Sequence, residues 1–170
     1  ELTDTLLPGF DADIQAALRK SLEKRGVAIH TGASVTGIEP GGETLVTYSQ
    51  GGAERHAACD AVICAAGRRP RTGDIGLGEA GIQTERGFIR TDAAMRTGVP
   101  GIYAAGDITG GPQLAHAATA QALAAVADIA GDRNIQRFCA IPACVYTSPE
   151  IASVGLTEAA ARQRFGDVAV

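Results

Sequence analysis

Long apolar runs are missing from this chain. No stretch approaches the ~20 apolar residues that cross a bilayer. The opening residues Glu1-Leu2-Thr3-Asp4-Thr5 lack the basic and apolar regions of a secretory leader. Basic charge is also sparse: 15 Lys and Arg stand against 19 Asp and Glu, the net charge is −4, and there is no basic cluster beyond Arg68-Arg69. That balance argues against a nucleic-acid groove or an anionic-membrane surface and favours small-molecule partners. Tryptophan is absent and aromatic residues are few, whereas Ala and Gly abound, which suits a close-packed α/β protein with many backbone turns near a ligand. Low-complexity tracts and internal repeats are lacking as well. The 170 residues suffice for one ordinary domain or parts of two, able to bury roughly 70% of their unfolded surface as a unit. The expected setting is soluble and cytoplasmic.

The most informative stretch is residues 97–126, T-G-V-P-G-I-Y-A-A-G-D-I-T-G-G-P-Q-L-A-H-A-A-T-A-Q-A-L-A-A-V. It reads as a short buried strand over 102–105, a Gly-Asp pair, a Gly-Gly-Pro turn and a long apolar helix opening near Leu114. Ala104, Ala105 and Gly106 let a ligand approach the strand end, and the Asp107 carboxylate can accept hydrogen bonds from hydroxyls. The helix then begins with backbone N–H groups that lack intrahelical partners, so its start favours an anionic or electron-rich group. Read from the pattern alone, the same string could also be a plain strand-loop-helix unit in which Asp107 caps a turn.

The actual string closely resembles the second flavin-binding motif of the FAD-dependent pyridine nucleotide-disulfide oxidoreductases, and Leu114-Ala115-His116 looks most like the dihydrolipoyl dehydrogenase branch. The resemblance implies that Gly106 and Asp107 meet FAD, with Asp107 accepting from its ribityl chain. It also implies that the backbone of Gln113, Leu114, Ala115 and His116 borders the flavin pyrimidine edge. L-P-G-F-D-A-D from Leu7, H-T-G-A-S-V-T from His30 and G-R-R-P from Gly67 resemble the second half of the family's NAD-binding domain, which would set Val35 and Gly67 against NAD. Physical reasoning alone makes Val35 a core strand residue. Relatives commonly carry acidic residues and a glycine where this chain has Thr119, Gln121 and Ala122, so the surroundings of the flavin differ in detail. The implied fold is α/β: partial three-layer Rossmann-like FAD/NAD(P)-binding domains followed by the start of an α+β dimerisation domain. The implied boundaries are 1–71, 72–138 and 139–170.

Taken in order, Ile14, Leu18 and Leu22, with Ala17 beside them, recur at helical spacing after the 7–10 turn, and Gly26 is a natural stop. Strands are expected over 27–30, 35–39, 44–49 and 54–58, with turns at Gly41-Gly42 and Gly51-Gly52; His30 and His56 then fall on strands as ordinary surface or edge residues. The apolar run 59–67 reads as a central strand covered on both faces. Gly76, Gly78 and Gly81 satisfy G-x-G-x-x-G, but a polar stretch precedes them and no helix follows, so the nucleotide fingerprint is rejected. The helix from Leu114 should end near Ala130 and be buried. Thr157 should cap a short helix over 159–164, and 168–170 should begin a strand.

Cys59 and Cys64, like Cys139 and Cys144, share the C-x4-C spacing of the family's redox pair. On a strand, side chains five apart lie roughly 16 Å apart, beyond the ~7 Å Cα limit of a disulfide. Cys59 and Cys64 are therefore expected to be reduced packing residues, and no cysteine is assigned a catalytic or metal-binding role. By resemblance, the FAD fingerprint, the redox disulfide and the NAD glycine motif belong before Glu1, and a catalytic His-Glu pair beyond Val170. The three histidines here have no H-P-x-x-E context.

The reading is thus the central part of a dihydrolipoyl dehydrogenase-like enzyme using FAD and NAD, acting on a small-molecule or lipoyl-type dithiol. The expected assembly is a homodimer through the C-terminal domain, in a 2-oxoacid dehydrogenase complex, and the segment alone should be inactive. The alternatives are another disulfide reductase or soluble flavin oxidoreductase of the same fold, or a non-catalytic remnant or interaction module.

Overall fold

Helix α1 (Ala12–Lys24) forms where the apolar spacing demands it, and Leu18 is its buried residue. Its end is a Schellman motif: Gly26 turns left-handed at φ 84°, Gly26 N–H donates to Glu23 O at 2.9 Å and Val27 N–H donates to Leu22 O at 3.1 Å. The computed structural model describes residues 1–132 and 140–170 and divides into two compact units, Glu1–Ala65 with Cys144–Val170, and Ala66–Ala143.

In the first unit an antiparallel meander follows α1: β1 (Ala33–Glu39), β2 (Thr44–Gln50) and β3 (Ala53–Cys59). Gln50 pairs with Ala53, so Gly51-Gly52 is a two-residue hairpin loop, both at positive φ as such tight turns require. Tyr48, on the middle strand, is the buried anchor, and its ring lies 5.3 Å from that of His30. A bulge separates Val35 from Gly37 on β1. Residues 144–170 supply most of β6 (Ala143–Val145), β7 (Ile151–Ser153) and α3 (Glu158–Phe165). Thr157 caps α3 as expected, its Oγ1 accepting from Ala160 N–H at 3.2 Å. Asp11, at the start of α1, accepts from Glu158 N–H at 2.7 Å, and Ser21 Oγ donates to Ser148 O at 2.8 Å, so α1 holds this segment at two points.

In the second unit, β4 (Thr84–Glu85) and β5 (Phe88–Ile89) make a small hairpin, a 3-10 turn spans Asp107–Thr109, and α2 runs Ala115–Ile129. Both ends of α2 fall within a residue of expectation. Residues 76–82 are turns, in keeping with the rejection of G-x-G-x-x-G there.

Four expected strands do not form. Residues 27–30 lie outside any ladder, and His30 and the residues after it bond to the first residues: Glu1 N donates to His30 O at 2.9 Å, and Gly32 N–H and Ala33 N–H donate to Thr3 O and Glu1 O. His30 is therefore off-strand, whereas His56 sits on β3 as expected. Residues 60–67 are irregular, with Ile63 91% exposed, because no described strand lies alongside to exchange hydrogen bonds. Residues 102–105 keep only the Arg96–Tyr103 bridge, and 168–170 take no regular structure. A further correction concerns α2, which is only half covered. Its buried side is alanine (Ala117, Ala120, Ala125), while Leu123, Val126 and Ile129 are 61%, 61% and 65% exposed. Small residues face inward because the packed backbone comes close there: an added Cβ on Gly106 would lie 3.5 Å from Ala118 Cβ.

Candidate cofactor site

The site lies wholly within the second unit. Gly106 leaves the extended segment at φ 87°, ψ −160°, a conformation essentially reserved for glycine. Its N–H donates to Gln121 Oε1 at 2.6 Å, and its carbonyl accepts from Thr109 N–H at 3.0 Å and Thr109 Oγ1 at 2.9 Å. Asp107 follows at once, its side chain 39% exposed, and its Oδ2 accepts from Arg68 Nη1 at 2.7 Å. Gly110 closes the 3-10 turn at φ 76°, packed so tightly that an added Cβ would sit 2.8 Å from Phe88 Cγ. Gly111-Pro112 leads to Leu114, the residue before α2, and no side chain caps this helix start. Its first amides are therefore available to a ligand. Gln113 and Leu114 are half-buried, and Ala115 and His116 are exposed. His116 Nε2–H donates to Pro142 O at 2.7 Å. A carbonyl can only accept, so Nε2 carries the proton of this bond.

The far end of α2 is held by a second cluster. Arg96 forks onto Asp128, with Nε to Oδ2 at 2.7 Å and Nη2 to Oδ1, and Tyr103 OH donates to Asp128 Oδ2 at 2.6 Å. The hydrogen bonds from Arg96 and then Tyr103 hold the Asp128 carboxyl below its usual range. The bond to Asp128, with burial adding to it, raises the Tyr103 phenol. A depressed carboxyl stabilises the fold above its unfolded value and loses that contribution as pH falls through the folded one. The tie between α2 and the 96–103 bridge should therefore hold near neutral pH and weaken below about pH 4. Protection of the Thr97 and Ala104 amides, which make the two hydrogen bonds of that bridge, should fall there relative to intrinsic exchange, and Asp128→Asn should abolish the acid transition while lowering protection at neutral pH.

The structure brings Gly106, Asp107 and the body of α2 together and continues directly into 113–116. Gly67 sits beside Arg68, the residue that holds Asp107, at φ 104° with open space where a Cβ would be. Val35 belongs to the first unit, opposite Tyr48, and is exposed, which corrects its reading as a core residue: cover on that face of β1 reaches Ala33 and Tyr48 and stops short of Val35, where the strand bulges. Cys59 is half-buried and accordingly can pack, but Cys64 is exposed and cannot, because the strand that would have enclosed it is not formed. Cys144 is free and exposed, and Cys139 lies outside the described residues. Sequence reasoning missed Arg68, the role of Gln121, and the Arg96–Tyr103–Asp128 cluster. A lone acid in the apolar run A-A-V-A-D-I was the available sign of the last.

A carboxylate set between Gly106 and an uncapped helix start can take hydroxyls at one point and an anionic or electron-rich group at the next, the chemistry that a nucleotide cofactor presents. Residues 1–122 match the family described as pyridine nucleotide-disulphide oxidoreductase, and residues 141–170 match its dimerisation domain. The chain belongs to the pyridine nucleotide-disulphide oxidoreductase family. It is 43% identical over 169 residues to a dihydrolipoyl dehydrogenase of Bacillus subtilis (97% of this chain, 36% of the relative). It is 42% identical over 167 residues to that of Thermus scotoductus (96% and 36%). Among solved structures it resembles LpdA from Mycobacterium tuberculosis, with TM-score 0.86, 32% identity, and 96% of this chain and 36% of that one covered. It also resembles the HOCl-induced flavoprotein disulfide reductase RclA from Escherichia coli, with TM-score 0.82, 29% identity, and 98% and 38% covered. The chain thus spans about a third of the length of the curated relatives it matches. The fold is a partial FAD/NAD(P)-binding α/β architecture with the beginning of a dimerisation domain, and membership implies FAD and NAD(P) as the family's cofactors. The residues present fit a flavin: Gly106 lets α2 lie close against the turn, Asp107 is a half-exposed acceptor, and the start of α2 is uncapped. No described helix is long and apolar enough to cross a membrane.

Proposed function

We propose that this segment supplies the flavin-holding centre of a dihydrolipoyl dehydrogenase-like enzyme that passes electrons from a dithiol, through a redox disulfide and FAD, to NAD. FAD, when bound, supplies the two-electron relay between disulfide and nicotinamide. Asp107 binds and orients by accepting hydrogen bonds from ribityl hydroxyls. The backbone at 113–116 borders the pyrimidine edge, where the N–H groups of the first turn of α2, from Ala115 on, stabilise negative charge, since a helix start favours an anion that a carboxylate would repel. Gly106 permits close approach. Val35 and Gly67 border NAD through apolar and backbone contact, and none of the cysteines in this segment is the redox pair. The proposed domain limits are 1–71, 72–138 and 139–170, the last contributing to a homodimer. The proposed substrate is a lipoyl-type dithiol presented in the cytoplasm, within a 2-oxoacid dehydrogenase complex.

The observation that carries this reading is the Gly106-Asp107 turn opening onto an uncapped α2, in a chain 43% identical to a dihydrolipoyl dehydrogenase. A second reading, reduction of another disulfide, draws on the likeness to the RclA disulfide reductase at 29% identity; the higher identity to dihydrolipoyl dehydrogenases favours the first. The test is to purify the complete protein and follow dihydrolipoamide-dependent reduction of NAD and of NADP. Flavin absorbance with brisk NAD reduction is expected, and neither flavin nor reduction from the 170-residue segment alone. Flavin with no dihydrolipoamide turnover would favour the second reading, and no flavin at all would overturn both.

A further inference from the structure

Helix α2 carries four polar side chains, and three have evident local employment. Thr119 Oγ1 donates to Ala115 O one turn back at 3.1 Å, His116 holds Pro142, and Asp128 binds Arg96 and Tyr103. The fourth, Gln121, is half-buried and reaches the turn that bears Asp107. Its Oε1 accepts from Gly106 N–H at 2.6 Å, while its Nε2 would lie 3.4 Å from a Cβ placed on Gly111. One side chain therefore underlies both ends of the 106–111 turn.

We infer that Gln121 is a positioning residue for the flavin site, fixing the 106–111 turn so that Asp107 is presented in one place. This rests on the proposed flavin-site reading. Gly106 has the freest backbone in the chain's repertoire, and its conformation here is one of several open to it. A hydrogen bond to its N–H selects that conformation, and removing the acceptor leaves the donor unpaired against an alanine-lined helix. Gln121 makes this bond as a neutral group. Flavin reduction places negative charge near the site, so an acceptor without charge leaves the reduced form unopposed, whereas a second carboxylate beside Asp107 would disfavour it.

Two consequences separate the acceptor from its neutrality. In the complete flavoprotein, Gln121→Leu and Gln121→Ala should each release FAD about tenfold faster than wild type, the loss expected for one ordinary hydrogen bond. Gln121→Glu keeps the acceptor and should hold FAD within about twofold of wild type, yet show a lower flavin midpoint potential. Alanine adds no bulk and is a strong helix former, so it carries the test if the leucine variant does not fold. Asp107→Ala, measured alongside, reports on the site itself. If wild type holds no flavin, or Asp107→Ala loses none, the reading of the site is wrong. If Asp107→Ala releases flavin while Gln121→Ala retains it, the site stands and the Gln121 inference falls. The inference falls equally if Gln121→Glu releases flavin as fast as Gln121→Ala, or if its potential equals that of wild type.

Discussion

Asp107→Ala in the complete protein should weaken FAD retention by about 1.5–3 kcal/mol, the range for a hydrogen bond to a charged group, or roughly 10- to 150-fold in affinity. Arg68 already holds Asp107 Oδ2, so the two interactions have to be weighed. The Arg68 side chain is 73% exposed, and an ion pair of that kind contributes about 0–1 kcal/mol. Hydroxyls therefore win the carboxylate, either at Oδ1 or by displacing a weakly held arginine. Arg68→Ala should accordingly leave flavin retention nearly unchanged. The contrast is Ala115→Pro, which removes one N–H from the start of α2. Proline is tolerated at the first helical position, and Leu114 is already extended at φ −130°, ψ 139°, as a residue before proline prefers. This variant should keep its flavin and lower the midpoint potential. Full flavin occupancy in dialysed Asp107→Ala, together with an unchanged potential in Ala115→Pro, would defeat the division of roles.

Gly110→Ala should lower the stability of the folded protein by roughly 2–4 kcal/mol, combining an overpacked contact with a left-handed alanine. The built Cβ meets three atoms of Phe88, at 2.8, 3.1 and 3.2 Å, and Phe88 cannot retreat freely because Ile89 beside it is buried. Gly101→Ala isolates the backbone part. Gly101 is also left-handed, at φ 78° in the tight turn closed by Ile102 N–H to Val99 O, but nothing lies within 4 Å of its Cβ position. It should lose only about 1–2 kcal/mol. Denaturant titration of both variants gives the Phe88 term by difference; equal losses would mean that the contact with Phe88 relaxes.

What could be read in advance was whatever a few neighbouring residues decide. Gly26 stops α1, Gly51-Gly52 turns the hairpin and Thr157 caps α3, because each acts within one turn of chain. The run 59–67 has every local mark of a strand, yet a strand exists only by virtue of its neighbours, and none is present among the described residues. Likewise α2 announced its length but not its covered side, since a helix apolar all round has no face that the pattern singles out. At the site, the order Gly106, Asp107, helix start was legible as a sequence. The partners were not: Arg68 lies 39 residues from Asp107, Arg96 lies 32 from Asp128, and Gln121 lies 15 from Gly106. Such pairings join elements whose adjacency is settled by packing.

The chain's division into Glu1–Ala65 with Cys144–Val170, and Ala66–Ala143, bears on how it is made. On the ribosome residues 66–143 emerge between the two parts of the first unit, so residues 1–65 wait for their complement. At ordinary synthesis rates of 5–20 residues per second, that wait covers the whole of 66–143 and lasts roughly 4–16 s. During it the Asp11 carboxylate and the Ser21 hydroxyl have neither Glu158 N–H nor Ser148 O to meet. A slow codon run or a chaperone acting in that interval would meet α1 and its meander as a half-made body, and chains stalled before 144 should be cleaved in 1–65 faster than chains that carry 144–170.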